Sequence, residues 1–242
     1  MNFSENQESL EVIQEKRPIL ARLKYDGLDI VRSMQVQSWF GYYSLLHGPI
    51  YPVLVKEFWK NAKISDNGNI IWSKIYDLPI AITISSIVEV TGCIASGLTI
   101  DDFQTDLSLI EKFRALQDSS TSLEPTCPET LLPTPKTWFR FSLTNLRPRA
   151  TARSTLSHDD RIFIYLLTNH FKINLPKTIF DHLKYSLEIT RTRHIFYIPY
   201  GRILSEIFIK EGIVEAVKKI GLEHSLIEER CERVNSVEEF DD

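Results

Sequence analysis

The chain has 242 residues, 43% hydrophobic and 25% charged, and its 13 Phe, 9 Tyr and 4 Trp are enough to fill a core, which excludes a disordered chain. A formal net charge of −4 excludes a polyanion binder held by bulk charge alone. Cys93, Cys127 and Cys231 lie far apart with no CxxC pair, which excludes a zinc ribbon or a thioredoxin-like site and implies free thiols in a reducing compartment.

Residues 1–20, with Glu5, Glu8, Glu11 and Glu15, read as a flexible polar tail; residues 1–9 lack the apolar stretch of a secretory signal. From Tyr25 to Leu46, Leu28, Val31, Val36, Trp39, Phe40, Tyr43 and Leu46 recur at roughly helical spacing, and His47-Gly48-Pro49 is the stop. A second helix follows Pro52 and ends near Asn61. Asp66-Asn67-Gly68-Asn69 is a turn between two short apolar runs, and Leu78–Ile82 is a further strand whose Pro79 points to a sheet edge. Thr83 caps a short helix through Val90, with Gly92 just past its end. Thr99-Ile100-Asp101-Asp102 opens another helix, to about Leu116.

Residues 118–135, rich in Ser and Pro, form a loop between two halves that can share one domain. Thr134 is then a cap candidate, with Pro135 at the first helical position. Ser157-His158-Asp159-Asp160 is a capping-box variant ahead of Ile162, Phe163, Leu166 and Leu167. Further helices start near Pro176 and after Pro199-Tyr200-Gly201, the last breaking at Gly212. The fold class is mainly α (α+β): a helical domain over residues 21–221 with a small β-hairpin or sheet near residues 61–82, followed by an acidic tail over residues 222–242. The most apolar run, Leu78–Val88, is interrupted by Thr83, Ser85 and Ser86 and is shorter than the roughly 20 residues of a membrane helix. A soluble intracellular protein, nuclear or cytoplasmic, neither secreted nor transmembrane, is the expectation.

No phosphate loop, nucleophile elbow or HExxH occurs, so no catalytic, cofactor-binding or metal residue is assigned, and neither a cofactor nor a small-molecule substrate is expected. His158, His170, His182 and His194 recur every twelve residues, but that spacing does not bring them together on one helix; His170 reads as a core-edge residue and His182 as a surface one. The pairs Asp101-Asp102 and Asp159-Asp160 could be nuclease carboxylates, which must converge on two metals about 4 Å apart. Both lie in a first helical turn, where they read as caps. The feature with functional content is basic. No acidic residue falls between Glu129 and Asp159, while Lys136, Arg140, Arg147, Arg149 and Arg153 do. On one helix Lys136, Arg140 and Arg147 would share a face able to meet phosphates; otherwise it is a solvated face, or one that docks the acidic tail.

Several segments also resemble a known family. Tyr51-Pro52-Val53-Leu54-Val55-Lys56-Glu57-Phe58-Trp59, then Trp138-Phe139 with Asn145-Leu146-Arg147-Pro148, then Lys172–Pro176, Ile179-Phe180, Ile198–Ser205 and Gly212-Ile213-Val214 resemble, in order and spacing over residues 50–214, the plant transposon protein domain. Its relatives are sometimes labelled envelope-like proteins of legume retrotransposons. Many relatives have a histidine shortly after the middle motif, where this chain has Arg149-Ala150-Thr151. The resemblance implies an element-derived plant protein without catalytic residues, whose partner is another protein or nucleic acid. The alternatives are an accessory DNA- or RNA-binding protein, a capsid-like or assembly role, and a degenerate nuclease or transposase.

Overall fold

The computed structural model describes residues 10–16, 30–103, 108–120, 126–150, 154–193 and 197–228. Among these the fold is α+β and mainly helical. In chain order the elements begin with β1 (Glu11–Val12), α1 (Ile30–Gln37), α2 (Phe40–Leu45) and α3 (Pro52–Asn61). The strands β2 (Lys63–Ile64), β3 (Ile71–Ile75) and β4 (Leu78–Ile82) precede α4 (Ile84–Thr91) and α5 (Ser108–Arg114). Then come α6 (Pro133–Phe141), α7 (His158–Thr168), α8 (Leu175–Arg193), β5 (Tyr197–Ile198), α9 (Gly201–Lys210) and α10 (Ile213–Lys219).

The local signals account for most of these starts and stops. Pro52 opens α3, where its missing N–H has no helical partner to lose. The antiparallel sheet runs β2-β3-β4, with Pro79 on its edge strand as expected. Ile71 and Ile75 point inward and Trp72 and Lys74 outward, the period-two pattern of a sheet with one wet face. Thr83 and Ser86 form a reciprocal capping box on α4, and Gly92 closes it in the left-handed conformation. Ser157 and Asp160 do the same for α7.

One hydrophobic core joins both halves of the chain: Trp39, Leu54, Phe58 and Ile71 from the first share it with Trp138, Phe163, Phe180 and Phe208 from the second. Buried Gln37 ties the halves together, donating from Nε2 to the Phe171 carbonyl at 2.6 Å and accepting the Ile173 N–H at 2.9 Å. A smaller cluster of Phe113, Leu131, Phe139, Leu143, Leu156 and Ile164 lies under the Pro-rich connection.

Five sequence expectations need correction. Residues 10–16 of the presumed tail belong to the folded body: β1 pairs in parallel with β5, and Glu15 is fully buried. Residues 223–226 of the presumed acidic tail form a turn in which Ser225 is buried against Tyr76, while residues 229–242 lie outside the described set. Of the helix expected over 25–46, the described residues form two helices separated at Ser38 (φ 60°), with Val36 and Phe40 exposed beside the break, and 25–29 lie outside the described residues. The helix from Thr99 is a short 3-10 turn at Asp101–Phe103 with α5 beginning later, and 104–107 lie outside the described residues. Helix α6 starts at Pro133, with no side-chain cap, not at Thr134-Pro135.

Candidate functional site

The segment that carried the basic expectation changes course after α6. Residues Ser142–Leu146 form a π turn, closed by the Arg147 N–H donating to the Ser142 carbonyl at 2.7 Å. The extra residue in that turn breaks the α-helical spacing that would align Arg147 with Lys136 and Arg140. Arg147 instead turns toward the start of α7. Its Nη2 donates to Asp159 at 2.8 Å, and its Nη1 lies 3.7 Å from Asp160. Arg149 donates to the other Asp160 oxygen at 2.8 Å. These arginine side chains are only 14% and 17% exposed, and Asp160 is 4% exposed.

Asp160 therefore has two duties. It accepts the Ser157 N–H at 2.8 Å and the Ser157 hydroxyl at 2.7 Å as a helix cap, and it balances two partly buried guanidinium groups. The capping role expected from sequence holds; the arginine partners eleven and thirteen residues upstream were not foreseen, because no local pattern marks them. Lys136 and Arg140 remain on α6, half-buried, and their positive charge helps hold the Glu129 carboxyl below its usual range, after the larger effect of the Cys127 thiol hydrogen bond. Arg153 lies outside the described residues. Asp102 caps its own turn, accepting the Thr99 N–H at 2.7 Å.

The histidine expectations are reversed. His170 is exposed at the end of α7 with φ 58°, whereas His182 on α8 is 7% exposed. Its Nδ1 lies 3.0 Å from the Tyr200 hydroxyl, and Tyr200 donates to the Leu146 carbonyl at 2.8 Å. Tyrosine has one proton to give, and the carbonyl can only accept. Nδ1 of His182 is thus the donor in its bond to Tyr200, and Nε2 carries the lone pair. Burial, with Arg147 and Arg149 nearby, holds His182 well below the usual histidine range, so the ring is neutral at pH 7.

His182 forms one wall of a cleft of about 330 Å³ between the start of α7, the middle of α8 and the turn at Asp101. Arg147 and Asp159 line it from one side, Asp181, Tyr185 and Glu188 from another. No family model matches the chain, and no curated protein or solved structure matches it either. Among the described residues, no three His, Cys, Asp or Glu side chains are grouped to hold a metal ion. No helix of these residues is long and apolar enough to cross a membrane.

The motifs behind the family resemblance lie largely inside the molecule. The Tyr51 N–H donates to Ser205 Oγ at 3.0 Å, joining the first motif to the last. Asn145 is buried, and its carbonyl accepts from the Tyr42 hydroxyl at 2.8 Å. Arg202, fully buried, donates from Nε to the Glu15 carbonyl at 2.9 Å and from Nη1 to the Gly48 carbonyl. The Glu15 carboxylate accepts the N–H groups of Arg202 (2.9 Å) and Ile203 (3.2 Å), filling the open N-terminus of α9, which begins at left-handed Tyr200 without a side-chain cap of its own. Burial raises the Glu15 carboxyl, and these hydrogen bonds and Arg202 pull it back. Sequence reasoning missed Glu15 and Arg202 because their partnership spans almost the whole chain.

Proposed function

We propose that this chain is a non-enzymatic interaction domain of a plant transposable-element-derived protein, and that its partner is another protein. The observation that carries the reading is the inward engagement of Arg147 and Arg149 by Asp159 and Asp160. One arrangement removes support from both rivals. Of the two acidic pairs that could have been nuclease carboxylates, Asp159 and Asp160 are committed to a helix cap and two arginines. Two of the five cations that could have formed a phosphate-binding face are neutralised within the fold.

The buried placement of Tyr51, Asn145, Arg202 and Ser205 supports reading the family-like motifs as a scaffold signature, not an active site. Partner contacts then fall on the exterior, outside these motifs. The test is capture of partners from plant nuclear extract by the full chain, with and without nuclease. Retention of a specific protein after nuclease is expected. Loss of every partner on nuclease treatment would overturn the reading in favour of nucleic acid binding.

A further inference from the structure

The cleft beside His182 is lined by four carboxylates, Asp101, Asp159, Asp181 and Glu188, against two cations, Arg147 and Lys184; three of its acceptors are unengaged, and Arg147 Nη1 is a buried donor without a hydrogen-bond partner. Nε2 of His182 carries a lone pair and has no hydrogen-bond partner among the described residues. Asp101 and Glu188, both exposed on the cleft, make no ion pair among those residues. The cations at the cleft are already paired: Arg147 with Asp159 and Asp160, and Lys184 with Asp181 at 3.4 Å, a carboxylate it shares with Lys177. Tyr185, 52% exposed, adds an aromatic ring to the rim. These acceptors are complementary to a cation rich in N–H donors.

We propose that this cleft binds a guanidinium group, with His182 Nε2 accepting one N–H and the carboxylates of Asp101 and Glu188 matching its charge. A guanidinium fits better than an ammonium for two reasons. Its five donors fan out in a plane and can serve acceptors on separate elements, and its face stacks on an aromatic ring such as Tyr185. The volume, about 330 Å³, is ample for one such group with its aliphatic stem. The buried imidazole is the selective element. Its tautomer is locked by Tyr200 and Leu146, so a ligand that presents an acceptor there meets a lone pair. The group can come from an arginine side chain of a partner, in which case the site deepens the interaction-domain reading, or from a free guanidinium compound, in which case it stands apart from it.

The experiment is a calorimetric titration of the full chain with agmatine, and with a five-residue peptide carrying a central arginine, alongside the same peptide with citrulline. The ¹⁵N resonance of His182 Nε2 is followed in parallel. Agmatine and the arginine peptide are expected to bind and to shift that resonance, and the citrulline peptide to bind at least about tenfold more weakly, as loss of charge-assisted bonds requires. The double variant Asp101→Asn, Glu188→Gln changes only exposed side chains and keeps the fold, so it isolates the charge contribution; it is expected to weaken agmatine about tenfold. The His182→Phe variant removes the acceptor and should weaken agmatine and both peptides alike, whereas the double carboxylate variant should remove the preference for arginine over citrulline. Equal affinity for agmatine and the peptide identifies a small-molecule site, and a tenfold preference for the peptide identifies a partner's arginine. Binding with no change at His182, equal binding of the citrulline peptide, or no binding at millimolar ligand would overturn the proposal. None of these results bears on whether a protein survives nuclease treatment in the capture experiment, so the two readings fail separately.

Discussion

Replacing Asp160 by Ala tests how the middle of the chain is held together. The carboxylate accepts two hydrogen bonds from Ser157, and loss of a cap of this kind costs about 0.5–2 kcal/mol. The same carboxylate faces Arg147 and Arg149, and removing one partner of a buried charge cluster costs about 3–5 kcal/mol. The arginines retain some exposure, 14% and 17%, which places the expected total near the lower end, at about 3–4 kcal/mol. For a domain of this size each kcal/mol moves Tm by about 2–4 °C, so the shift should be at least about 6 °C. Urea unfolding monitored by circular dichroism reads the free energy directly. Asp160→Asn, which keeps an acceptor for the cap and loses the charge, should fall between wild type and alanine. Glu215→Ala, which removes an exposed pair with Lys218, should leave stability nearly unchanged. A loss below 1 kcal/mol for Asp160→Ala would refute the inward role assigned to Arg147 and Arg149.

Four further outcomes follow, three from buried polar contacts and one from a close approach. Since His182 titrates in the folded state well below the ordinary 6.5, the unfolded chain takes up its proton first on acidification. Its stabilising contribution is complete above pH 6.5 and falls as pH drops through that value toward the folded one, so His182→Phe should flatten the loss of stability across this window in a pH series of urea melts. Glu15 works with the opposite sign, because its folded value is raised above 4.5; its contribution is present below 4.5 and declines as pH rises through the folded value, so the two slopes separate by mutation. Tyr200→Phe leaves the Leu146 carbonyl and His182 Nδ1 without their shared partner and should cost about 1–3 kcal/mol, with a change in the imidazole ¹⁵N pattern as the tautomer is released. A Cβ at Gly41 would lie 2.3 Å from the Thr91 carbonyl oxygen, so Gly41→Ala should force α2 and α4 apart; an overpacking cost of about 1–3 kcal/mol exceeds the gain of up to about 1 kcal/mol in helix propensity, and a thermal melt should show net destabilisation.

What the sequence made legible follows the range of the interactions involved. Capping at Thr83 and Ser157, the stop at Gly92, the proline-marked edge strand and the break at Gly212 are written within three or four residues, and each stands as read. Glu15 looked like one more acid of a polar tail because nothing near it in sequence shows that it fills the N-terminus of α9. The five cations between Glu129 and Asp159 were legible as a cluster, but their direction was not: a π turn of five buried residues redirects Arg147, and no residue there announces such a turn. His182 lies on a helix whose one-dimensional pattern made it a surface residue; its burial depends on Tyr200 from the next element folding over it. The cleft joins residues from Asp101 to Glu188 and has no one-dimensional signature at all.

The most direct test of the interaction-domain account is the salt dependence of nucleic acid binding by the full chain, followed by fluorescence anisotropy of labelled duplex DNA from 20 mM salt upward. A free basic face making four phosphate contacts would give a slope of log affinity against log salt near −3.6, at about −0.9 per contact. With Arg147 and Arg149 held by Asp159 and Asp160, at most two described cations of the cluster can meet phosphate, so the account predicts a slope no steeper than about −1.8. Tight binding with a slope near −3.6, weakened by Arg147→Gln and Arg149→Gln without loss of fold, would contradict it.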